Sequence, residues 1–254
     1  MKFTSSKLGQ VMARVIVTLV AAGLLLVLRP DIAGLLQGKL RAEVRLLASP
    51  RIIDDYLKTN KVRKLQIGAG PFNKSGWLNS DIEPQIGQAY LDATQRFPLP
   101  DRSFHYVYSE HVLEHLEYEQ GMNMLRESYR ILAPGGAVRV ATPNLLKFIE
   151  LFQTSKNKQM QAFMNLKMDL FEWPRTPDPE CYILNRESHD WGHQFLYTPL
   201  MLRAILQSLG FRNIKEFQPG ESDDAALRNS EERIHGVMKE ANAYETMVFQ
   251  AVRE

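Results

Sequence analysis

The chain has 254 residues, 44% apolar and 24% charged, which suits one sizeable α/β domain with a short appendage and excludes wholesale disorder. A single cysteine, Cys181, excludes an internal disulfide framework and a cysteine-built metal cluster. The net charge of +2 gives no footprint for nucleic acid, but residues 1–63 carry a net +7 (11 basic, 4 acidic) and the remainder a net −5 (20 basic, 25 acidic), so the basic front points to a membrane surface.

Val15 to Leu28 is an uncharged run of 14 residues between Arg14 and Arg29-Pro30. As a helix it is about 21 Å long, short of the roughly 30 Å hydrocarbon core; starting at Val11 lengthens it if Arg14 snorkels. No small-residue cleavage site follows it. Residues 1–30 are therefore expected to be a retained hydrophobic membrane-anchor helix, with residues 11–28 either spanning the membrane or lying on it. From Ile32, Leu35, Leu36, Leu40, Val44 and Leu47 form an apolar stripe, so residues 31–60 read as an amphipathic helical linker. Ser49-Pro50 is expected to break it, with Ile52, Ile53, Tyr56 and Leu57 opening another helix.

From Lys61 short apolar runs alternate with helical stretches. Strands are expected at Val62–Ile67, Trp77–Ser80, Ala89–Leu91, His105–Tyr108, Ala137–Ala141, Phe211–Phe217 and Tyr244–Val252. A long helix is expected over Val112–Leu132, broken near Gly121, and another over Pro199–Leu209. This is the pattern of a doubly wound α/β sheet with helices on both faces, whose ligands sit beyond the carboxyl ends of the strands. Gly68-Ala69-Gly70 follows the first strand, where glycine lets a ligand approach the backbone. A dinucleotide site would want a third glycine at Asn73. Asp81 and Asp92 end the next two strands, where carboxylates can accept from ribose hydroxyls and from an amino group such as that of adenine. Together with the glycine turn they make an adenosine site the better reading.

The runs Leu65-Gln66-Ile67-Gly68-Ala69-Gly70 and Gly76-Trp77-Leu78-Asn79-Ser80-Asp81-Ile82 resemble the S-adenosylmethionine (SAM)-dependent methyltransferases of class I. So do Leu91-Asp92-Ala93, Phe97-Pro98-Leu99-Pro100-Asp101, Ser109-Glu110-His111-Val112-Leu113-Glu114-His115-Leu116 and Arg130-Ile131-Leu132-Ala133-Pro134-Gly135-Gly136. The likeness is strongest to a bacterial subgroup associated with surface-glycan synthesis. It implies a Rossmann-like seven-stranded methyltransferase sheet over residues 61–254, with an antiparallel last strand. It also implies SAM on Gly68, Ala69, Gly70, Asp81, Ile82, Asp92 and Ala93, with Ser109 and His111 at the methyl-transfer face. Two positions depart from the pattern: Gln66 replaces an acid, and His105 replaces an aspartate.

Methyl transfer to a hydroxyl needs alignment and a base. His111, Glu114 and His115 fall on one face of the expected helix, and His111 is the expected base. No metal is expected; the residues that would hold one are His111, Glu114 and His115. Residues 145–197 form an acceptor-side insertion with Phe148, Phe152, Phe163, Phe171, Trp173, Tyr182 and Trp191. Its Ser188-His189-Asp190-Trp191-Gly192-His193 run makes His189 and His193 further catalytic candidates. Aromatics there suit a sugar ring or an ordinary subdomain core. The resulting expectation is a membrane-associated SAM-dependent methyltransferase, its catalytic domain cytoplasmic, acting on a sugar of a surface glycan or lipid-linked precursor. A lipophilic acceptor such as a quinone, and a catalytically silent scaffold, are the alternatives.

Overall fold

The computed structural model describes residues 14–20, 30–231 and 239–254, with the backbone alone for residues 30–44. Residues 14–20 are helical, and residues 1–13 and 21–29 of the expected anchor lie outside the described residues. Among the described residues, no helix is long and apolar enough to cross a membrane.

Seven strands form one sheet: β1 (Lys64–Ile67), β2 (Leu78–Asp81), β3 (Ala89–Tyr90), β4 (Phe104–Glu110), β5 (Leu132–Pro143), β6 (Phe211–Phe217) and β7 (Thr246–Arg253), in the order β3-β2-β1-β4-β5-β7-β6. β1 to β5 pair in parallel, and β7 runs antiparallel to both β5 and β6, as expected. The order reverses between β1 and β4, so a crevice opens beyond the carboxyl ends of these strands. The register sets Ile67 beside Ser80 on one side and Ser109 on the other, so Gly68, Asp81 and His111 follow at one edge.

The helices are α1 (Pro30–Thr59), α2 (Tyr118–Ile131), α3 (Leu145–Glu150), α4 (Lys158–Leu170), α5 (Pro179–His189), α6 (Pro199–Ser208) and α7 (Lys239–Glu245). The expected break at Ser49-Pro50 does not occur. α1 runs through Pro50, which gives up one backbone hydrogen bond while its surroundings dock the helix. Ser49 Oγ accepts the Tyr90 N–H at 2.8 Å, Ile53 is buried, and Tyr56 Oη accepts the Lys64 N–H at 2.8 Å. The end of α1 thus covers the β3 side of the sheet.

The long helix expected over Val112–Leu132 is also corrected. A 3₁₀ turn, Leu113–His115, is followed by an extended Leu116, and α2 begins only at Tyr118. The break comes at a capping box, in which Glu117 and Gln120 each satisfy the other's backbone N–H. Gly121 lies inside α2 rather than at a break, and packing favours glycine there, since a Cβ would stand 2.4 Å from Tyr197 Oη.

Two apolar cores result. One fills both faces of the sheet with Leu65, Phe104, Val107, Leu125, Leu132 and Phe249. The other lies within the 145–197 insertion and α7, around Phe148, Phe163, Met168, Trp173, Ile183 and Tyr244.

Candidate active site

Beyond β1, Gly68 and Gly70 take φ of +66° and +52°, the left-handed region glycine tolerates. A Cβ on Gly68 would meet Val112 Cγ2 at 2.2 Å, whereas the space above Gly70 is open. The turn is pinned to β2: the Ala69 N–H donates to the Ser80 carbonyl at 2.9 Å and the Gly70 N–H to Asp81 Oδ2 at 2.8 Å. Asp81 Oδ1 accepts the Glu83 N–H at 2.9 Å. Asp92 Oδ1 accepts from the backbone and hydroxyl of Thr94 at 2.8 and 2.7 Å. A cavity of about 510 Å³ opens here, walled by Ile67, Gly68, Gly70, Asp81, Ile82, Asp92, Ala93, Val112 and Leu116, with His111 and His115 at one end. Its volume lies within the roughly 300–1,000 Å³ of small-molecule sites.

SAM fits these residues. Each Asp81 oxygen keeps a second lone pair for a ribose hydroxyl. Gly70 leaves room for a close ligand, and Ile67, Leu91, Val112 and Leu116 supply apolar wall for a flat base. Gln66, two residues before the first glycine, donates through Nε2 to the Phe72 carbonyl at 3.0 Å, and its buried Oε1 lacks a hydrogen-bond partner. An unpaired buried acceptor is costly, and an ammonium group would satisfy it.

A second cavity, about 330 Å³, shares His111 and His115 with the first. It continues along Pro143, Lys167, Phe171, Glu187, Trp191, His193, Asn242 and Glu245. His111 follows β4 with φ +51°, and its N–H is tied to the Ala141 carbonyl at 2.9 Å. Its expected place on an α-helical face is thus replaced by a left-handed residue before the 3₁₀ turn. The turn still brings His111 Nδ1 to 2.8 Å from Glu114 Oε1. Glu114 is fully buried and accepts the Thr142 hydroxyl at 3.0 Å. Burial alone would raise its pKa, but the His111 charge and hydrogen bond outweigh it and bring it down to about 2. A carboxylate cannot donate, so Nδ1 carries a proton, and when the ring is uncharged Nε2 is its acceptor. The Thr246 hydroxyl lies 3.3 Å from that Nε2.

Lys167 forms the floor of the second cavity. It is buried between Glu187 at 2.8 Å and Glu245 at 2.9 Å, and lies over the rings of Phe171 and Trp191 at 5.8 and 5.7 Å. Burial would depress it, but the two carboxylates hold it raised. Burial and the Glu245 charge hold the Glu187 carboxyl well above the usual range, against the pull of Lys167. Two acids and one lysine thus share a desolvated corner beside aromatic walls.

Most expected residues meet at these two cavities: Gly68, Gly70, Asp81, Ile82, Asp92 and Ala93 around the first, His193 in the second, and His111 in both. Ala69 is buried beneath the turn, its backbone spent on Ser80. Ser109 is not at the methyl-transfer face. It is 2% exposed inside the sheet, between Ile67 and Val140, and lines neither cavity. His189 closes α5 and also lines neither. Of the insertion's aromatics, Phe148, Phe163 and Trp173 form core, while Phe171 and Trp191 face the cavity. Sequence reasoning missed Lys167, Glu187 and Glu245. Lys167 had left a trace: Met160, Phe163, Met164, Lys167 and Met168 share the buried face of α4, and a lysine there requires a charged partner.

The methyltransferase-domain family model matches residues 78–140, the stretch from β2 into β5. No curated protein sequence matches the chain. Among solved structures, the chain is similar to a SAM-dependent methyltransferase from Archaeoglobus fulgidus, at 19% identity and TM-score 0.45, over 82% of this chain and 94% of that one. It is likewise similar to one from Mesorhizobium loti, at 17% identity and TM-score 0.46, over 81% and 97%. The matched stretch runs through β2, β3 and β4, the strands whose ends border the first cavity.

Proposed function

We propose that the protein is a SAM-dependent methyltransferase acting on a hydroxyl of a sugar, in a surface glycan or its lipid-linked precursor, with His111 receiving the acceptor's proton. The observation that carries the reading is the wall of His111 and His115 common to both cavities. In-line transfer needs a nucleophile on one side and a leaving group on the other, and a shared wall is where a methyl group would pass. Bound SAM supplies an electrophilic methyl on a sulfonium leaving group. The protein's part is to orient the acceptor and remove its proton. Glu114 fixes the His111 tautomer so that Nε2 can accept, and the long Thr246 contact is easily displaced.

The second cavity favours a polyol. Phe171 and Trp191 offer aromatic faces to the C–H side of a sugar ring, and the carboxylates of Glu187 and Glu245 can accept hydroxyl protons. The Lys167 ammonium in the same cavity disfavours a cationic acceptor. The apolar run Val15–Leu28 and the basic residues around it support attachment to a membrane, with the catalytic domain on the cytoplasmic side where SAM is available.

Mass spectrometry of surface glycans and lipids from cells with and without the gene tests the acceptor. Loss of one methyl substitution on a sugar is expected; loss on a quinone instead would replace the glycan reading. His111→Ala should bind SAM normally and lower the methylation rate by roughly 10²–10⁴-fold. A fully active His111→Ala would remove the base assignment.

A further inference from the structure

We propose a divalent-metal site formed by Glu114, His115 and His193 on the wall between the two cavities. One ligand atom from each lies within 4.8 Å of the others. Donors bound to one ion at 2.0–2.2 Å stand at most about 4.4 Å apart, so small side-chain rotations close the set. The expected set of His111, Glu114 and His115 is thereby revised: His193, from the insertion, takes the place of His111, which is occupied as the hydrogen-bond partner of Glu114.

The supporting contacts are those a metal site requires. His193 Nδ1 lies 2.5 Å from the Glu187 carbonyl oxygen, which can only accept. The proton therefore sits on Nδ1 and the lone pair on Nε2, the tautomer that ligates. The Glu114 carboxylate is oriented from both oxygens, by His111 and by Thr142, and each oxygen keeps a lone pair. Backbone bonds clamp the two ligand-bearing segments together. The Glu114 carbonyl accepts the N–H groups of Gln194 and Phe195 at 2.7 and 3.2 Å, next in sequence to His115 and His193, whose ring centroids are 4.9 Å apart.

Two imidazoles and one carboxylate suit zinc, manganese, iron(II) or cobalt rather than calcium or magnesium. Three protein ligands leave coordination positions open toward the cavities. An acceptor hydroxyl taking one of them would be oriented and made easier to deprotonate. That role rests on the methyltransferase reading; the binding itself does not.

Calorimetry on the chelator-treated full chain, titrated with Mn²⁺ and with Zn²⁺ in the absence of SAM, tests the site. SAM affinity is measured separately on the same samples. One ion per chain should bind, and His115→Ala and His193→Ala should each weaken it at least about 100-fold, more than loss of a supporting contact does. His189→Ala, off both cavities, should bind as the parent does, and circular dichroism confirms that each variant folds. Absence of binding by the parent, or equal binding by the folded His115→Ala and His193→Ala variants, overturns the site. If SAM still binds in that case, only the metal proposal fails. If the ion binds and SAM does not, the methyltransferase reading fails and the site stands.

Discussion

Asp81 performs two tasks with one carboxylate. It holds the glycine turn through the N–H of Gly70 and still faces the cofactor cavity. Asp81→Ala should weaken SAM binding by roughly 2–4 kcal/mol, because a charge-assisted contact is lost and the turn it pins is loosened. Unchanged affinity by calorimetry would remove Asp81 from the ribose. Residues of this kind were legible in the sequence because strand ends fix where a side chain points: Gly68 follows β1, Asp81 ends β2 and Asp92 comes just beyond β3. Residues brought in by the insertion were not. Glu187 and Glu245 sit on α5 and α7, helices not expected from the sequence, which had Glu245 in the last strand, and packing against Lys167 buries both. Ser109 failed for the complementary reason. One residue short of the strand's end, it lies inside the ladder, and the following Glu110 and His111 complete the turn.

Elements are joined by charged clamps that no local pattern announces. Arg130 on α2 bonds Glu127 at 2.6 Å and the carbonyls of Phe97 and Leu99 at 3.1 and 3.0 Å, while Glu127 accepts the Phe97 N–H at 2.9 Å. This ties α2 to the segment that follows Asp92. Burial would raise the Glu127 pKa, but the Arg130 and Phe97 hydrogen bonds outweigh it and leave it below the ordinary 4.5. A carboxyl depressed on folding stabilises the fold above its unfolded pKa, and this contribution disappears as pH falls through the folded value. Glu127→Gln should therefore cost roughly 1–3 kcal/mol at neutral pH and make the stability less sensitive to acid below 4.5, as urea unfolding at several pH values would show. Equal stability of variant and parent at neutral pH would remove the clamp.

A second clamp joins Arg139 in β5 to Glu231 at 2.6 and 2.9 Å, with both residues fully buried. Glu231 also accepts the Gly220 N–H at 2.7 Å, so the segment after β6 is pinned to the sheet. Glu231→Gln should destabilise by about 3–5 kcal/mol, since it leaves a buried guanidinium uncompensated, while Arg139→Met with Glu231→Leu should recover most of the loss. Urea unfolding of the two variants decides it; a double variant no better than the single one would rule out uncompensated charge as the cause.

For the whole molecule, the apolar runs separated by turn residues announced the sheet, and the β4–β5 crossover left a helical period in the sequence, whereas β1 to β4 are joined without helices. The boundary before it was less legible. Pro50 argues for a break in local terms, yet α1 continues because Ser49, Ile53 and Tyr56 find partners across β1 and β3. The separable part therefore ends before α1 docks. Removing residues 1–29 should leave the thermal midpoint within a few degrees of the parent, and by the proposed attachment should shift the protein from the membrane to the soluble fraction. Removing residues 1–60 should unfold it. It exposes the sheet face under Ile53 and deprives the Lys64 and Tyr90 N–H groups of their acceptors, each roughly a 1–3 kcal/mol loss. Thermal melts and fractionation of the two truncations test both statements. A folded, soluble 61–254 fragment would show α1 to be dispensable, and a 1–29 deletion that stays with membranes would place the attachment elsewhere in the chain.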